Sequence, residues 1–216
     1  MDEPFSLRAE VLPTALRKGE KTREAILADA LALASQIGLE ALSFAEVAQR
    51  AGLSKSGLFA HFGSKDELQR AILVRAQSLF RDRVLLPAQS HPPGLARLRA
   101  FFDFWLAWID DCSEMPGGCL LISAAIEYDD RPGDLRSALV QGHRELRGAL
   151  AKAVRLAIEA GELDSACDPW QLTFDVLGLV LAASHERRLL DDRRAVERAR
   201  RSFERALAFH SKPAAN

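Results

Sequence analysis

The stretch from Ser43 to Lys65 carries so many helix start and stop signals that its backbone has few options. Ser43 and Glu46 form an S-x-x-E capping box that opens one helix, and Ser64 and Glu67 form another that opens a later one. Ser54 is placed to cap a helix between them, and Gly63 to end it. Gly52 tolerates a tight turn where a side chain would be strained, and the small Ala48 lets the second helix cross closely over the first. Val47, Leu53 and Leu58 fall at the inward positions of such a pair. The spacing predicts two short helices at a sharp turn with a third directly after, a helix-turn-helix. Ser54, Lys55, Ser56 and Phe59 then lie on the outer face of the second helix, the face that enters a DNA major groove in this motif.

Each candidate contact has a plainer alternative. Lys55 is placed to donate to guanine O6 and N7, or it is a solvated surface lysine. Lys65, beside an N-cap, suits a phosphate, with the same alternative. Ser54, Ser56 and Gly57 permit close backbone approach, while the serines also serve as caps. Ser43, at the head of the first helix of the pair, completes the candidate DNA-facing set.

The segment Lys21–Leu68 resembles the N-terminal domain of the tetracycline-repressor-like (TetR) family. The resemblance rests on Thr22-Arg23-Glu24-Ala25-Ile26-Leu27, Gly38, Val47-Ala48, Ala51 through Phe59, His61-Phe62 and Ser64-Lys65-Asp66-Glu67-Leu68. It covers under a third of the chain. The resemblance implies a phosphate contact for His61, for which a packing role is the alternative. In the family the position of Phe59 is usually Tyr, whose hydroxyl reaches a phosphate. Phe59 has no hydroxyl and offers its ring to a thymine methyl instead. The family also implies repression as the mode of action.

Around this motif the periodicity is helical throughout, with no strand-period segment, so the fold class is all-α. Residues 1–20, with Pro4 and Pro13, read as a mobile arm. Residues 21–66 read as a three-helix DNA-binding domain with the helix-turn-helix, and 67–210 as a helical bundle for ligand binding and dimerisation. Thr22–Ile37 reads as a helix stopped by Gly38, and Ser64 opens a longer helix that ends before Pro87. Asp168-Pro169 is a sharp start signal, with Asp as N-cap and Pro in the first turn. The last helix spans about Arg193 to Phe209.

The net charge is −1, so phosphate attraction must come from one face of the chain and from helix N-termini. Leu98, Phe101, Phe102, Trp105, Trp108 and Ile109 form a helical stripe, and Phe104 and Leu106 widen it until the helix must be largely buried. Phe101, Phe104, Trp105 and Trp108 are either core or the wall of an apolar ligand pocket, for which Ser123, Tyr128, His143 and Phe174 would add lining or polar groups. Phe174, Leu177, Val180 and Leu181 on one helix, with Phe203 and Leu207 on the next, offer more apolar surface than one domain needs and point to a homodimer interface.

With 48% apolar and 27% charged residues the composition is ordinary for a globular chain. There is no long uncharged apolar run to span a membrane and no secretory signal at the start. Three cysteines suit a reducing cytoplasm, where the protein is expected to reside. No metal-ligand spacing, cofactor motif or catalytic motif stands out, so no metal, cofactor or enzymatic activity is expected. The reading is therefore a dimeric repressor that binds double-stranded operator DNA as an inverted repeat and is released by a small apolar or amphipathic effector. The alternatives are an all-helical small-molecule-binding protein or enzyme, or a redox-responsive regulator using Cys112 and Cys119.

Overall fold

The computed structural model describes residues 18–211, so the expected arm lies outside the described residues except for 18–20, which are helical. The described chain is all-α, in the order α1 (Lys18–Ile37), α2 (Phe44–Arg50), α3 (Lys55–Phe62), α4 (Lys65–Phe80), a π-helical turn (Arg81–Leu85), α5 (Leu86–Gln89), α6 (Leu95–Asp110), α7 (Leu120–Glu127), α8 (Asp134–Glu159), α9 (Pro169–Leu189) and α10 (Ala195–His210). It divides into two compact units. The first holds the described residues up to Ala76 together with Glu114–Gln141, and the second holds Gln77–Ser113 with the described residues from Gly142 onward. The division thus runs inside α4 and α8, and 114–141 belongs to the unit of the N-terminal helices.

In the first unit, α1 buries Ile26, Leu27, Ala30, Leu31 and Ala34 along one stripe. The Ser43–Glu46 box forms in full: Ser43 Oγ accepts from Glu46 N at 3.2 Å, and Ser43 N donates to Glu46 Oε2 at 3.1 Å. After α2, Gly52 takes φ +65, Leu53 N donates to Ala48 O at 2.8 Å, and Gly52 N donates to Gln49 O at 3.2 Å. This pair of bonds is the Schellman arrangement, and it fixes the turn before α3. Val47, Ala48 and Leu58 are buried, while Leu53 is half-buried. The second box forms only in part. Ser64 Oγ accepts from Glu67 N at 3.1 Å, but Ser64 N donates to Phe62 O instead of to the Glu67 carboxylate.

Two loops of this unit are held, one by α7 and one by α1, in ways that sequence spacing does not show. Gly38 ends α1 with φ +94, and the Glu127 carboxylate then accepts from Leu39 N at 2.9 Å and Glu40 N at 3.0 Å. A Cβ on Gly38 would lie 2.8 Å from Glu127 Oε1. Gly117 N donates to Ser35 Oγ at 3.0 Å, and Met115 beside it is fully buried. Glu127→Ala should strip both loop N–H groups of their acceptor. Unfolding in urea is expected to show a loss of about 2 kcal/mol, in the range for hydrogen bonds to a charged group. Glu127→Gln, which keeps one carbonyl oxygen, should lose less.

In the second unit α6 buries Leu98, Phe101, Phe102, Trp105, Leu106, Trp108 and Ile109. Phe102 stacks on Phe203 of α10 with centroids 4.1 Å apart. The start of α6 repeats the device seen at Gly38: Gly94 takes φ +101, and Leu95 N donates to Glu162 Oε2 at 2.8 Å. Down the polar side of α6, Arg99 pairs with Glu204, Asp103 with Arg200 and Asp110 with Arg187. Exposed pairs add little stability singly, but together they set the register of α6 against α9 and α10. Asp168 caps α9 as expected, its Oδ1 accepting from Trp170 N at 2.8 Å, with Pro169 in the first turn.

The helix expected to stop before Pro87 runs through it. Pro87 has no N–H and crowds the preceding turn. The π-turn relieves this by widening the ladder, with Leu86 N donating to Arg81 O.

Candidate functional site

The structure places α3 with Lys55, Phe59 and Ala60 outward and Leu58 and Phe62 inward. Phe59 is 60% exposed, and its ring meets Phe44 edge-on at 6.3 Å, so it is held yet presented to solvent. Ser54 is exposed and caps α3, accepting from Gly57 N at 3.1 Å and lying 3.0 Å from Ser56 Oγ. A Cβ on Gly57 would meet Ser54 Oγ at 3.3 Å, so the glycine makes room for the cap. The backbone N–H groups of Lys55 and Ser56, in the first turn of α3, have no intrahelical acceptor to satisfy. They give this end a positive character suited to phosphate.

The other candidates of this set divide. Ser43 is half-buried, and its hydroxyl is engaged in the capping box. His61 is half-buried beside Phe62. Lys65 Nζ donates to Glu40 O at 2.7 Å and lies 3.8 Å from Glu40 Oε1, so its charge is partly held within the unit. Arg23 of α1 lies over the Phe62 ring at 4.8 Å, which ties α1 to α3. Lys21, Arg50 and Lys55 are exposed on α1, α2 and α3.

Behind α3, Glu40 gathers several partners. Tyr128 Oη donates to Glu40 Oε2 at 2.8 Å, and buried Gln69 donates from Nε2 to Leu39 O at 2.7 Å. The Tyr128 bond, with help from Lys65 and Arg131, holds the Glu40 carboxyl below the usual carboxylate range. Burial and then the Glu40 bond push the Tyr128 phenol far above its ordinary value. Because folding lowers the Glu40 pKa, this tie stabilises the unit above the unfolded carboxylate value and is lost as pH falls through the folded one. Sequence reading missed Glu40, Gln69 and Glu127, and spacing gave no signal for them.

The eight ligand candidates do not form one group. Phe101, Trp105 and Trp108 are buried together in the second unit, with Phe80 edge-on to Trp105 at 5.4 Å and to Trp108 at 5.8 Å. Phe104 is half-buried against His91, and His143 is half-buried in α8. Tyr128 and Ser123 belong to the first unit: Tyr128 is committed to Glu40, and Ser123 is exposed with its hydroxyl donating to Leu120 O at 3.3 Å. Phe174 is 66% exposed on α9 and is not part of the aromatic cluster.

The dimer candidates separate as well. Val180, Phe203 and Leu207 are buried within their own chain, because α10 turns its apolar side onto α9 and α6. Leu177 is half-buried, and Leu181, like Phe174, is exposed. Trp170, outside the expected set, is 51% exposed on the same helix. The three cysteines are buried and not joined in disulfides, with Cys112 and Cys119 in different units. Burial, with Asp168, Asp164 and Asp175 adding, pushes the Cys167 thiol up, away from thiolate chemistry. Among the described residues no helix is long and apolar enough to cross a membrane, and no cluster of His, Cys, Asp and Glu could hold a metal ion.

An all-α chain whose capped helix-turn-helix presents Lys55 and Phe59 outward is a helix-turn-helix DNA-binding transcriptional regulator. The chain belongs to the TetR family. Residues 26–72 match the family model "Bacterial regulatory proteins, tetR family", and residues 94–203 match "Tetracyclin repressor-like, C-terminal domain". Relatives include the HTH-type transcriptional repressor ComR of Escherichia coli (strain K12), 28% identical over 149 residues, which cover 68% of this chain and 70% of ComR. The repressor NemR of the same strain is 26% identical over 164 residues, covering 76% and 82%. A crystal structure of a TetR transcriptional regulator from Chloroflexus aurantiacus J-10-FL superposes with a TM-score of 0.84 at 26% identity, covering 92% of this chain and all of that one.

Proposed function

We propose that the protein is a dimeric repressor that reads an inverted-repeat operator through α3 and is released by a small apolar or amphipathic effector bound among the helices of the second unit. Residues 21–66 hold the DNA-reading helices, and 67–210 serve effector binding and dimerisation, with 114–141 packed against the former. The observation that carries the DNA reading is the outer face of α3. Lys55 and Phe59 stand exposed there while their neighbours Leu58 and Phe62 are locked in the core. The repressor assignment follows ComR and NemR, both named repressors.

Dimerisation is supported by α9. Trp170, Phe174, Leu177 and Leu181 recur at steps of four, three and four residues, the spacing of a helix–helix seam, and three of the four are at least half exposed. Effector binding is supported by the aromatic cluster of Phe80, Phe101, Trp105 and Trp108.

Two lysine variants test the DNA face. Lys55→Ala should cost about 1–3 kcal/mol on the best site and relax preference at one base pair, as for loss of a base-reading contact. Lys65→Ala should weaken binding alike on all sequences and lower the slope of affinity against salt by about 1, as for a phosphate contact. Binding isotherms at several salt concentrations check both. Two variants with the same effect and unchanged base preference would overturn the assignment of Lys55.

A further inference from the structure

We infer that the effector of this regulator is a neutral carbonyl compound, a ketone or an ester on an apolar body, whose oxygen is read by the indole N–H groups of Trp105 and Trp108. The inference rests on the proposed effector site and specifies its chemistry. Both tryptophans are 4% exposed, and each Nε1 is buried with no hydrogen-bond partner. His143 Nε2 is buried and unpartnered in the same way. Buried polar groups are nearly always satisfied, and each exception asks for an explanation.

The two tryptophans lie together in the fold. Trp105 and Trp108 are one turn apart on α6, so their side chains leave the same face. Phe80, at the end of α4, is edge-on to both rings. One turn earlier on α4, Gln77 approaches α8 at Gly142, the residue before His143, where an added Cβ would lie 3.2 Å from Gln77 Nε2. Two buried indole donors therefore share one face of α6, with the Phe80 ring against both.

The chemistry of the donors selects the ligand. An indole N–H only donates, so two of them call for an acceptor. The charged groups of α6 are engaged elsewhere: Arg99, Asp103 and Asp110 in ion pairs with α9 and α10, and Arg97 in hydrogen bonds to His91 O. An ionised carboxylate would be stripped of water without a counter-charge, at a cost far above that of a carbonyl. The carbonyl oxygen gains the N–H bonds without that penalty.

The test uses the full chain labelled with 15N-tryptophan, with acetophenone and ethylbenzene as matched probes. They share a ring and differ in the oxygen. Trp170→Phe identifies the third indole signal. Acetophenone is expected to bind saturably, to shift the Trp105 or Trp108 indole proton downfield, and to bind about tenfold more tightly than ethylbenzene. Trp105→Phe combined with Trp108→Phe keeps the rings and removes the donors, and should erase that preference. Circular dichroism confirms that the double variant is folded, and Trp108→Phe alone serves if it is not. Equal binding of the two probes, absence of acetophenone binding, or saturable binding that leaves both indole protons unmoved would overturn the inference. Operator release separates the two levels. A compound that releases DNA without touching these indoles contradicts the carbonyl site and leaves the effector reading standing. Acetophenone bound at the indoles with operator affinity unchanged contradicts the effector reading and leaves the site standing.

Discussion

Leu181→Arg is expected to turn a dimer into a folded monomer with little operator affinity. Leu181 is 51% exposed on α9, so a longer polar side chain there meets no core of its own chain. In a symmetric pairing through Trp170, Phe174, Leu177 and Leu181, the arginine would enter the contact from both sides. An unpaired buried charge costs about 3–5 kcal/mol, and two like charges near a twofold axis add repulsion. A monomer reaches one half-site only. The second half-site then no longer binds at high effective concentration, and affinity for the full operator should fall by roughly 100-fold or more. Light scattering with an operator-binding isotherm reads both effects. Phe203→Ala makes the contrast: Phe203 is 1% exposed and stacked on Phe102, so its loss should destabilise the fold rather than split a dimer. A Leu181→Arg protein that stays dimeric at micromolar concentration and binds the operator normally would rule out the α9 seam.

Gly117→Ala should be the most damaging single-methyl change in the first unit. A Cβ at Gly117 would lie 1.8 Å from Ser35 O and 2.4 Å from Gln36 N, both backbone atoms of α1 that no rotamer change can move. The loop from Met115 must lift away, stretching the bond from Gly117 N to Ser35 Oγ and drawing buried Met115 outward. A loss of about 3 kcal/mol is expected, at the upper end for overpacking, which for a chain of this length lowers the melting temperature by roughly 6–12 °C. Gly148→Ala is the control. Gly148 lies inside α8 with nothing within 4 Å of an added Cβ, so the substitution should leave the protein as stable or more stable, by up to about 1 kcal/mol. Thermal unfolding of the two variants side by side checks the sign of each.

Local signals made the DNA-reading helices legible. Ser43, Ser54, Gly52 and Gly63 act within a few residues of themselves, and the structure bears out each cap and stop. The Asp168-Pro169 start of α9 was legible for the same reason. What failed was long-range. Periodicity shows that Phe203, Leu207 and Val180 are apolar on one face, but not whether that face meets its own chain or a second copy. Here it meets its own, while Trp170, Phe174 and Leu181 of α9 are left exposed. Tyr128 looked like a polar group for a pocket because nothing near it in sequence reveals Glu40, 88 residues away. The same holds for Glu127 with Leu39 and for Gly117 with Ser35. Pro87 shows the converse, a strong local stop signal overridden by a π-turn.

In the proposed function, α3 of a dimer reads a specific operator. The most direct measurement is selection of bound duplexes from a random DNA pool by the full chain, followed by sequencing. Enrichment of an inverted repeat is expected, with half-site centres roughly 34–36 Å apart or a multiple of that distance, and with one half-site position losing its preference in Lys55→Ala. A pool that emerges without any enriched sequence, or with a single unrepeated site bound as tightly by Leu181→Arg as by the unaltered protein, would contradict it.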